Sequence, residues 1–421
     1  MGFKTAMSCI GAPSDMRVAL FTDSFLPFIC GATFAALNQV NALANSGHEV
    51  RIYCPGSKGS DAKSAELHDS ITLRKVPLSL PWGGQPDLNV VFPALWPTMK
   101  DLRAFKPDVV HVHTEWGTGW AGVYAAWRLK IPVVGTFHTF WDDPRYVHHF
   151  PWPNWKIIQR AMGNYSAFFY RRCTATIAPS TSVQRHLSQR NLDAVVVSNG
   201  MPKPTLASAD EIRQLRAEFG VKDGPTFLYL GRVSFEKSLP ICFEAFKIVL
   251  ADHPDAQFVM IGDGPEMTAI KETVRSLEIE SSVIFTGAVP HEELIRRNLP
   301  RLGDVFVTAS ETENQPVSIL EGMSFGLPAI GPRSRGIPEL IEPEQNGLLF
   351  APGYVTELVA HMKRVASDEA LRETLVRGAF ETSAFHSIEH TGKRLLQLYQ
   401  NCISHPADPT ANLDNPNRDA A

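Results

Sequence analysis

The chain has 421 residues, a formal net charge of −4, and is 44% hydrophobic and 20% charged. That length exceeds what one ordinary hydrophobic core serves, so two domains are expected, and the composition excludes a disordered or fibrous chain. No apolar run reaches the roughly 18 residues that read as a membrane span, and no nucleic-acid partner is expected.

Residues 1–15, MGFKTAMSCIGAPSD, lack the charged start, long apolar stretch and cleavage site of a secretory leader and read as a flexible extension. From Arg17 the chain alternates short β-rich runs with helical stretches: RVALFT, EVRIY, ITLRKV, DVVHVH, PVVGTF, ATIAPS and AVVVSN. Runs that are apolar on consecutive residues and separated by helices suit a parallel sheet covered on both faces. After NGMPKPTLASADE (199–211), rich in turn residues and read as the hinge, the scheme repeats in TFLYLGR, AQFVMIG, SVIFTG, DVFVTAS and LPAIGP. The fold class is therefore α/β, with two doubly wound domains over 16–200 and 201–385. A helix over 386–402 follows, and the polar, proline-rich 403–421 reads as a disordered tail. Ligands of such sheets bind beyond the carboxyl ends of the strands, so two facing domains make a cleft.

Charge is unevenly spread. Residues 16–200 carry 18 Lys and Arg against 12 Asp and Glu, residues 201–402 carry 20 against 28, and all eight tryptophans fall between Trp82 and Trp155. The plain reading is composition and core aromatics; the sharper one is an acceptor surface that meets anionic lipid or a bulky partner. Cysteines at 9, 30, 54, 173, 242 and 402 form no C-x-x-C pair, so neither a disulfide framework nor a zinc knuckle is indicated and a reducing cytosol is the simplest compartment.

The informative stretch is ETENQPVSILEGMSFGLP (311–328), which sets Glu313 and Glu321 eight positions apart. It follows a strand and opens a helix expected over 316–325, with Pro316 in the tolerated first turn and Gly326 at the stop. Free amides of Val317 and Ser318 at that helix start make a phosphate site. Carboxylates placed on phosphate would be repelled, so the glutamates more sensibly accept hydrogen bonds from hydroxyls. Two diols flanking a diphosphate describe a nucleotide sugar. No D-x-D pair or G-x-x-x-x-G-K-[ST] loop supplies a metal or phosphate cradle, whereas GRVSFEK (231–237) offers Arg232 and Lys237 after another strand. An arginine and a lysine five apart are ordinarily a solvated surface. In the same half-chain as the glutamate turn they suit a departing diphosphate without metal.

Together FTDSFLPFICGAT, PDVVHVHTEWGTGWAG, VGTFHTF, IAPSTSVQRHL, YLGRVSFEK, IGDGPE, FTGAVPHEEL and ENQPVSILEGMSFGLPAI resemble the retaining glycosyltransferases of GT-B fold, family 4 type, over about Arg17 to Gln400. The resemblance implies two Rossmann-like domains, with Glu313 on the donor hexose, Glu321 on the ribose, and Arg232 and Lys237 on the diphosphate. It also implies backbone amides of Val317 and Ser318 on phosphate, Asn314 in the donor site, and Gly31 approaching the donor from the opposite domain. Cys30 and Ala32 flank Gly31 where the family pattern often has a second glycine or an asparagine. His138, in TFHTF, matches the family's active-site histidine, on the donor hexose or the acceptor hydroxyl; as a structural residue it would merely cap a strand end. The implied chemistry is front-face displacement in which the leaving diphosphate helps take the acceptor proton. No cofactor and no metal are expected. His111 and His113 share a strand face, but with His138, His148 and His149 they lack the cysteine or acidic ligand that would complete a zinc site.

The acceptor is read from VHHFPWPNWKIIQRAMGNYSAFFYRR (147–172) and VVFPALWPTMKDLRAF (90–105), where aromatic and basic residues interleave. Such stripes are either buried faces or surfaces for the membrane interface. With signatures similar to lipid glycosyltransferases, they make a diacylglycerol-type lipid the leading acceptor and a saccharide the alternative, at the inner face of an anionic membrane. Rival readings are a nucleotide-sugar epimerase, a phosphorylase, a non-catalytic nucleotide-sugar binder, and an NAD-dependent oxidoreductase. The last rests on GTGWAG (117–122), with Asp142 and Asp143 about twenty residues beyond.

Overall fold

The computed structural model describes residues 15–26, 30–56, 67–76, 79–82, 85–143, 155–410 and 413, with 79–82, 85–91 and 155 as backbone. Residues 1–14 of the expected extension over 1–15, His148, His149 and most of the tail lie outside the described residues.

In the first half, β1 (Arg17–Phe21), β2 (Glu49–Pro55), β3 (Thr72–Val76), β6 (Val109–Val112), β7 (Val133–Thr136), β8 (Ala175–Ala178) and β9 (Val195–Val196) form one sheet in the order β3-β2-β1-β6-β7-β8-β9. Every pairing in it is parallel. An antiparallel hairpin, β4 (Ser79–Trp82) and β5 (Gln85–Val91), intervenes. In the second half β10 (Thr226–Leu230), β11 (Gln257–Ile261), β12 (Val283–Gly287), β13 (Val305–Val307), β14 (Ala329–Pro332) and β15 (Gly347–Phe350) pair in the order β12-β11-β10-β13-β14-β15, again all parallel. The run pattern predicts neither the hairpin nor β15. Both β10 and β11 are buried at every residue, because helices cover both faces, and this is why the runs show no alternation. Strand order reverses at β1/β6 and at β10/β13. The loops leaving these strands are the expected ligand edges.

The covering helices are α1 (Gly31–Asn45), α2 (Leu95–Phe105), α3 (Gly117–Leu129), α4 (Trp155–Tyr170), α5 (Thr181–Ser188), α6 (Ala209–Glu218) and α7 (Leu239–Val249). They continue as α8 (Met267–Ser276), α9 (His291–Arg296), α10 (Val317–Ser324), α11 (Val355–Ser367), α12 (Glu369–Phe385) and α13 (Ile388–Ser404). None is long and apolar enough to cross a membrane.

The chain crosses between lobes twice, and the two crossings are hydrogen-bonded to each other. Met201 N donates to His386 O at 2.9 Å and Ile388 N to Met201 O at 3.0 Å. The 199–211 segment is thus more tied than its composition suggests. Asn38 Nδ2 of α1 donates to Gly200 O at 2.8 Å, and Ser208 with Glu211 forms a capping box that starts α6. After the second crossing α13 returns to the N-terminal lobe, where Leu395, Leu398, Tyr399 and Cys402 join its core. The Tyr399 hydroxyl meets buried His111 Nδ1 at 2.7 Å. Residues 405–410 continue as turns, exposed at nearly every position, and Leu413 packs on the same core.

Because all eight tryptophans lie in the first half of the chain, their fluorescence reports unfolding of that lobe. Truncating fully buried Leu398 to Ala should cost ~2–5 kcal/mol and lower the urea midpoint seen by tryptophan emission. An unchanged midpoint would show that α13 does not stabilise the N-terminal lobe.

Candidate active site

The stretch 308–316 carries the chain from the carboxyl end of β13 into α10. Pro316 is the N-cap residue, with extended backbone, φ −70° and ψ 109°, one position earlier than the expected first-turn place. Gly326 stands one residue past the C-cap with φ +83°, as expected of a helix stop. The amides of Val317 and Ser318 donate no hydrogen bond among the described residues. They remain available to an anion at the positive end of the helix.

Both lobes fix this turn. Gln315 Oε1 accepts from Asn199 N at 2.7 Å and from Ser198 Oγ at 3.2 Å. Asn314 Nδ2 donates across the cleft to the carbonyl of His138. From below, Gly336 N donates to Glu313 O at 3.1 Å, so closely that a Cβ at Gly336 would lie 1.9 Å from Asn314 O. Only glycine fits there. Asn314, expected in the donor site, therefore has its amide nitrogen committed to the opposite lobe, while its Oδ1 is buried without a hydrogen-bond partner.

Glu313 and Lys237 act as one unit. Lys237 ends a single 3-10 turn (Phe235–Lys237) after β10, and its Nζ lies 2.5 Å from Glu313 Oε1. Burial pushes the Glu313 carboxyl upward, but the Lys237 charge and hydrogen bond, with a further bond from Ser310, outweigh it and hold the group below its usual range. Lys237 was expected on the diphosphate; in the structure its ammonium lies on the Glu313 carboxylate.

Glu321 lies one turn into α10 and is 6% exposed. Its Oε1 is 2.7 Å from His291 Nε2 at the start of α9, so one carboxylate oxygen is engaged before any ribose is considered. Phe34 of α1 packs on His291 with ring centroids 4.3 Å apart, bringing the N-terminal lobe over this end of the site.

Arg232 leaves β10, the neighbour of β13 in the sheet. It is exposed, its carbonyl accepts from Tyr229 Oη at 2.8 Å, and its guanidinium makes no ion pair or hydrogen bond among the described residues. Gly31 opens α1, and a Cβ there would meet nothing within 4 Å. Among the described residues no neighbour excludes a side chain at this position.

On the N-terminal side the predicted histidine face is real. The His111 and His113 rings lie 4.4 Å apart, and His113 Nδ1 is 2.9 Å from His138 Nε2. Burial lowers His111 to about 3 and His138 to about 4, and burial together with the neighbouring imidazoles takes His113 well below its usual value. Among the described residues no group of three or more His, Cys, Asp or Glu is placed to hold a metal ion.

The dinucleotide fingerprint resolves into packing. A Cβ on Gly119 would lie 1.8 Å from Thr114 O and one on Gly122 2.8 Å from the Phe21 ring, so both glycines seat α3 on the sheet. The helix start is occupied by a carboxylate, since Thr118 N donates to buried Asp23 Oδ1 at 2.8 Å, where a pyrophosphate would have to sit. Asp142 pairs with Arg190 and Asp143 with Arg335, so neither stands free for a ribose. Beside them lies a feature that sequence reasoning missed. Glu115 is buried, accepts from Ser166 Oγ at 2.9 Å, and is pushed by burial up to about 7.

Comparison with known proteins shows the family and the fold. The family model for Glycosyltransferase Family 4 matches residues 29–202 and that for Glycosyl transferases group 1 matches 211–382. The chain is 28% identical to an alpha-monoglucosyldiacylglycerol synthase of Streptococcus pneumoniae, over 92% of this chain and 86% of the relative. It is 31% identical to the sulfoquinovosyl transferase SQD2 of Arabidopsis thaliana, over 87% and 69%. The crystal structure of Anabaena Alr3699/HepE in complex with UDP-glucose superposes with a TM-score of 0.71 at 19% identity, covering 91% of this chain and 99% of that one. The two parallel sheets of this chain share that fold, and the protein belongs to the glycosyltransferases that join a family 4 domain to a group 1 domain.

Proposed function

We propose that the enzyme moves a hexose from a nucleotide sugar to a hydroxyl of a membrane lipid of the diacylglycerol type, with retention of anomeric configuration and without a metal ion. The observation that carries this reading is the arrangement about α10. The Lys237–Glu313 pair lies before the helix, the His291–Glu321 pair lies inside it, and the unpaired amides of Val317 and Ser318 fall between them. A diphosphate on those amides places a ribose toward Glu321 and a hexose toward Glu313. Exposed Arg232 and the Lys237 ammonium then take up charge on the leaving diphosphate, which in turn accepts the proton of the incoming hydroxyl.

If Glu313 and Lys237 act as a unit, their substitutions are non-additive. Glu313→Ala and Lys237→Ala should each lower kcat/KM at least about 100-fold, and the double variant should fall no more than about threefold below the weaker single. Strictly multiplicative losses would contradict the coupling. Transfer measured with a panel of UDP and GDP sugars should also survive EDTA, because side chains and amides hold the diphosphate. Loss on chelation, restored by Mg²⁺, would overturn the metal-free mechanism.

The lipid acceptor is supported by the name of the streptococcal relative and by the outer face of the N-terminal lobe. Trp96, Lys100 and Arg103 recur along α2 at helical spacing, with Trp96 71% exposed. A shallow concavity of about 500 Å³ is lined by Trp127, Arg128, Lys130 and Arg172 among others, and Trp127 is 69% exposed. Lys100, Arg103 and Lys130 make no ion pair among the described residues. Wet aromatic rings beside unpaired cations suit an anionic bilayer surface. The protein should therefore sediment with equimolar phosphatidylglycerol and phosphatidylcholine vesicles, less well at high salt, and the Trp96→Ala, Trp127→Ala double variant should bind at least about tenfold more weakly. No binding to these vesicles, with transfer to a soluble saccharide, would replace the lipid acceptor by a saccharide.

A further inference from the structure

We propose that His113 is a positioning residue that fixes His138 as a hydrogen-bond donor through Nδ1, so that His138 orients a hydroxyl in the cleft instead of accepting a proton from it. The inference rests on the cleft being the site of glycosyl transfer.

His138 is gripped at two points. Asn314 holds its carbonyl from the opposite lobe, and His113 Nδ1 meets its Nε2 at 2.9 Å with the rings nearly parallel, 26° apart. The only ring nitrogen of His138 left to face a substrate is therefore Nδ1. In a hydrogen bond between two neutral imidazoles one nitrogen donates and the other accepts, so two arrangements are open. If His138 Nε2–H donates, His113 must carry its own proton on Nε2. If His113 Nδ1–H donates, its Nε2 is a bare lone pair and the proton of His138 sits on Nδ1.

The surroundings of His113 choose between these. Its Nε2 is buried and has no hydrogen-bond partner among the described residues, and the residue is 1% exposed. Neighbouring His111 differs, because Thr136 Oγ1 and the Tyr399 hydroxyl, each at 2.7 Å, engage both its nitrogens. A buried N–H left without an acceptor is the rarer and costlier defect, whereas an under-used acceptor is better tolerated. His113 therefore donates through Nδ1 and His138 presents Nδ1–H to the cleft. Burial holds all three imidazoles neutral near pH 7, so neither ring is protonated on both nitrogens. A His138 that donates cannot also serve as base, which leaves the acceptor proton to the departing diphosphate.

The test is histidine tautomer mapping by two-bond ¹H–¹⁵N correlation on the full-length, ¹⁵N-histidine-labelled protein, with His113→Gln and His138→Gln variants for assignment. The expected result is Nδ1–H on both His113 and His138; Nε2–H on both overturns the proposal. In His113→Gln, whose amide can still donate, His138 should keep Nδ1–H. In His113→Leu it should lose that preference, and UDP-glucose turnover should show kcat lowered about tenfold with donor KM changed less than about threefold. Equal kcat in the Leu and Gln variants would reduce His113 to a packing residue. The spectra need no substrate. If UDP-glucose is not turned over while both Nδ1–H tautomers are seen, it is the donor assignment that fails and the histidine pair that stands.

Discussion

Two lobes hold one short turn, and the cleft depends on that shared grip. Residues 313–316 are pressed from below by the Gly336 backbone, tied to the interlobe crossing through Gln315, and bonded to the N-terminal lobe through Asn314. A turn so constrained cannot slide along the sheet edge, and both glutamates inherit its register. Fixed geometry is what a site built for a transition state needs, because catalytic groups that must reorganise lose their advantage over water.

Closure between the lobes is written in several unlike contacts. Arg335 meets buried Asp143, Glu339 accepts from the Thr181 and Ser182 amides at the start of α5, and Phe34 packs on His291. The paired crossings at Met201 and Ile388 and the return of α13 into the N-terminal core add a covalent route between the same two bodies. Each end of the proposed donor site is thereby contacted by the opposite lobe: Asn314 with His138 at the sugar end, His291 with Phe34 at the nucleoside end. A donor held between these contacts would be enclosed by both lobes, which would exclude water from the reacting bond.

What the sequence made legible follows from how local each signal is. The strands were readable because burial on both faces leaves unbroken apolar runs, and the glutamate turn because a proline, a glycine and two acids sit within one short stretch. The β4–β5 hairpin carries Pro81 and Pro86, which argue against a strand, and the four residues of β15 stand alone after the last run that reads as one. The partners of the site residues were not legible at all. Lys237 and Glu313 are 76 positions apart, His138 and Asn314 are 176, and His111 and Tyr399 are 288, so no spacing rule links them. His291 stood inside a stretch noted for its resemblance, yet its role appears only once α9 is folded against α10. The glycines of GTGWAG are the converse case, in which a spelled motif carried only as a rival reading serves helix packing.

The central claim is that the amides of α10, Arg232 and the two glutamates form one nucleotide-sugar pocket, and a crystal structure with UDP bound tests it most directly. The account predicts the diphosphate on the Val317 and Ser318 amides with Arg232 beside it, and the ribose hydroxyls on the Glu321 oxygen that His291 leaves open. A nucleotide seated elsewhere, or a diphosphate held through a metal ion away from α10, would contradict it.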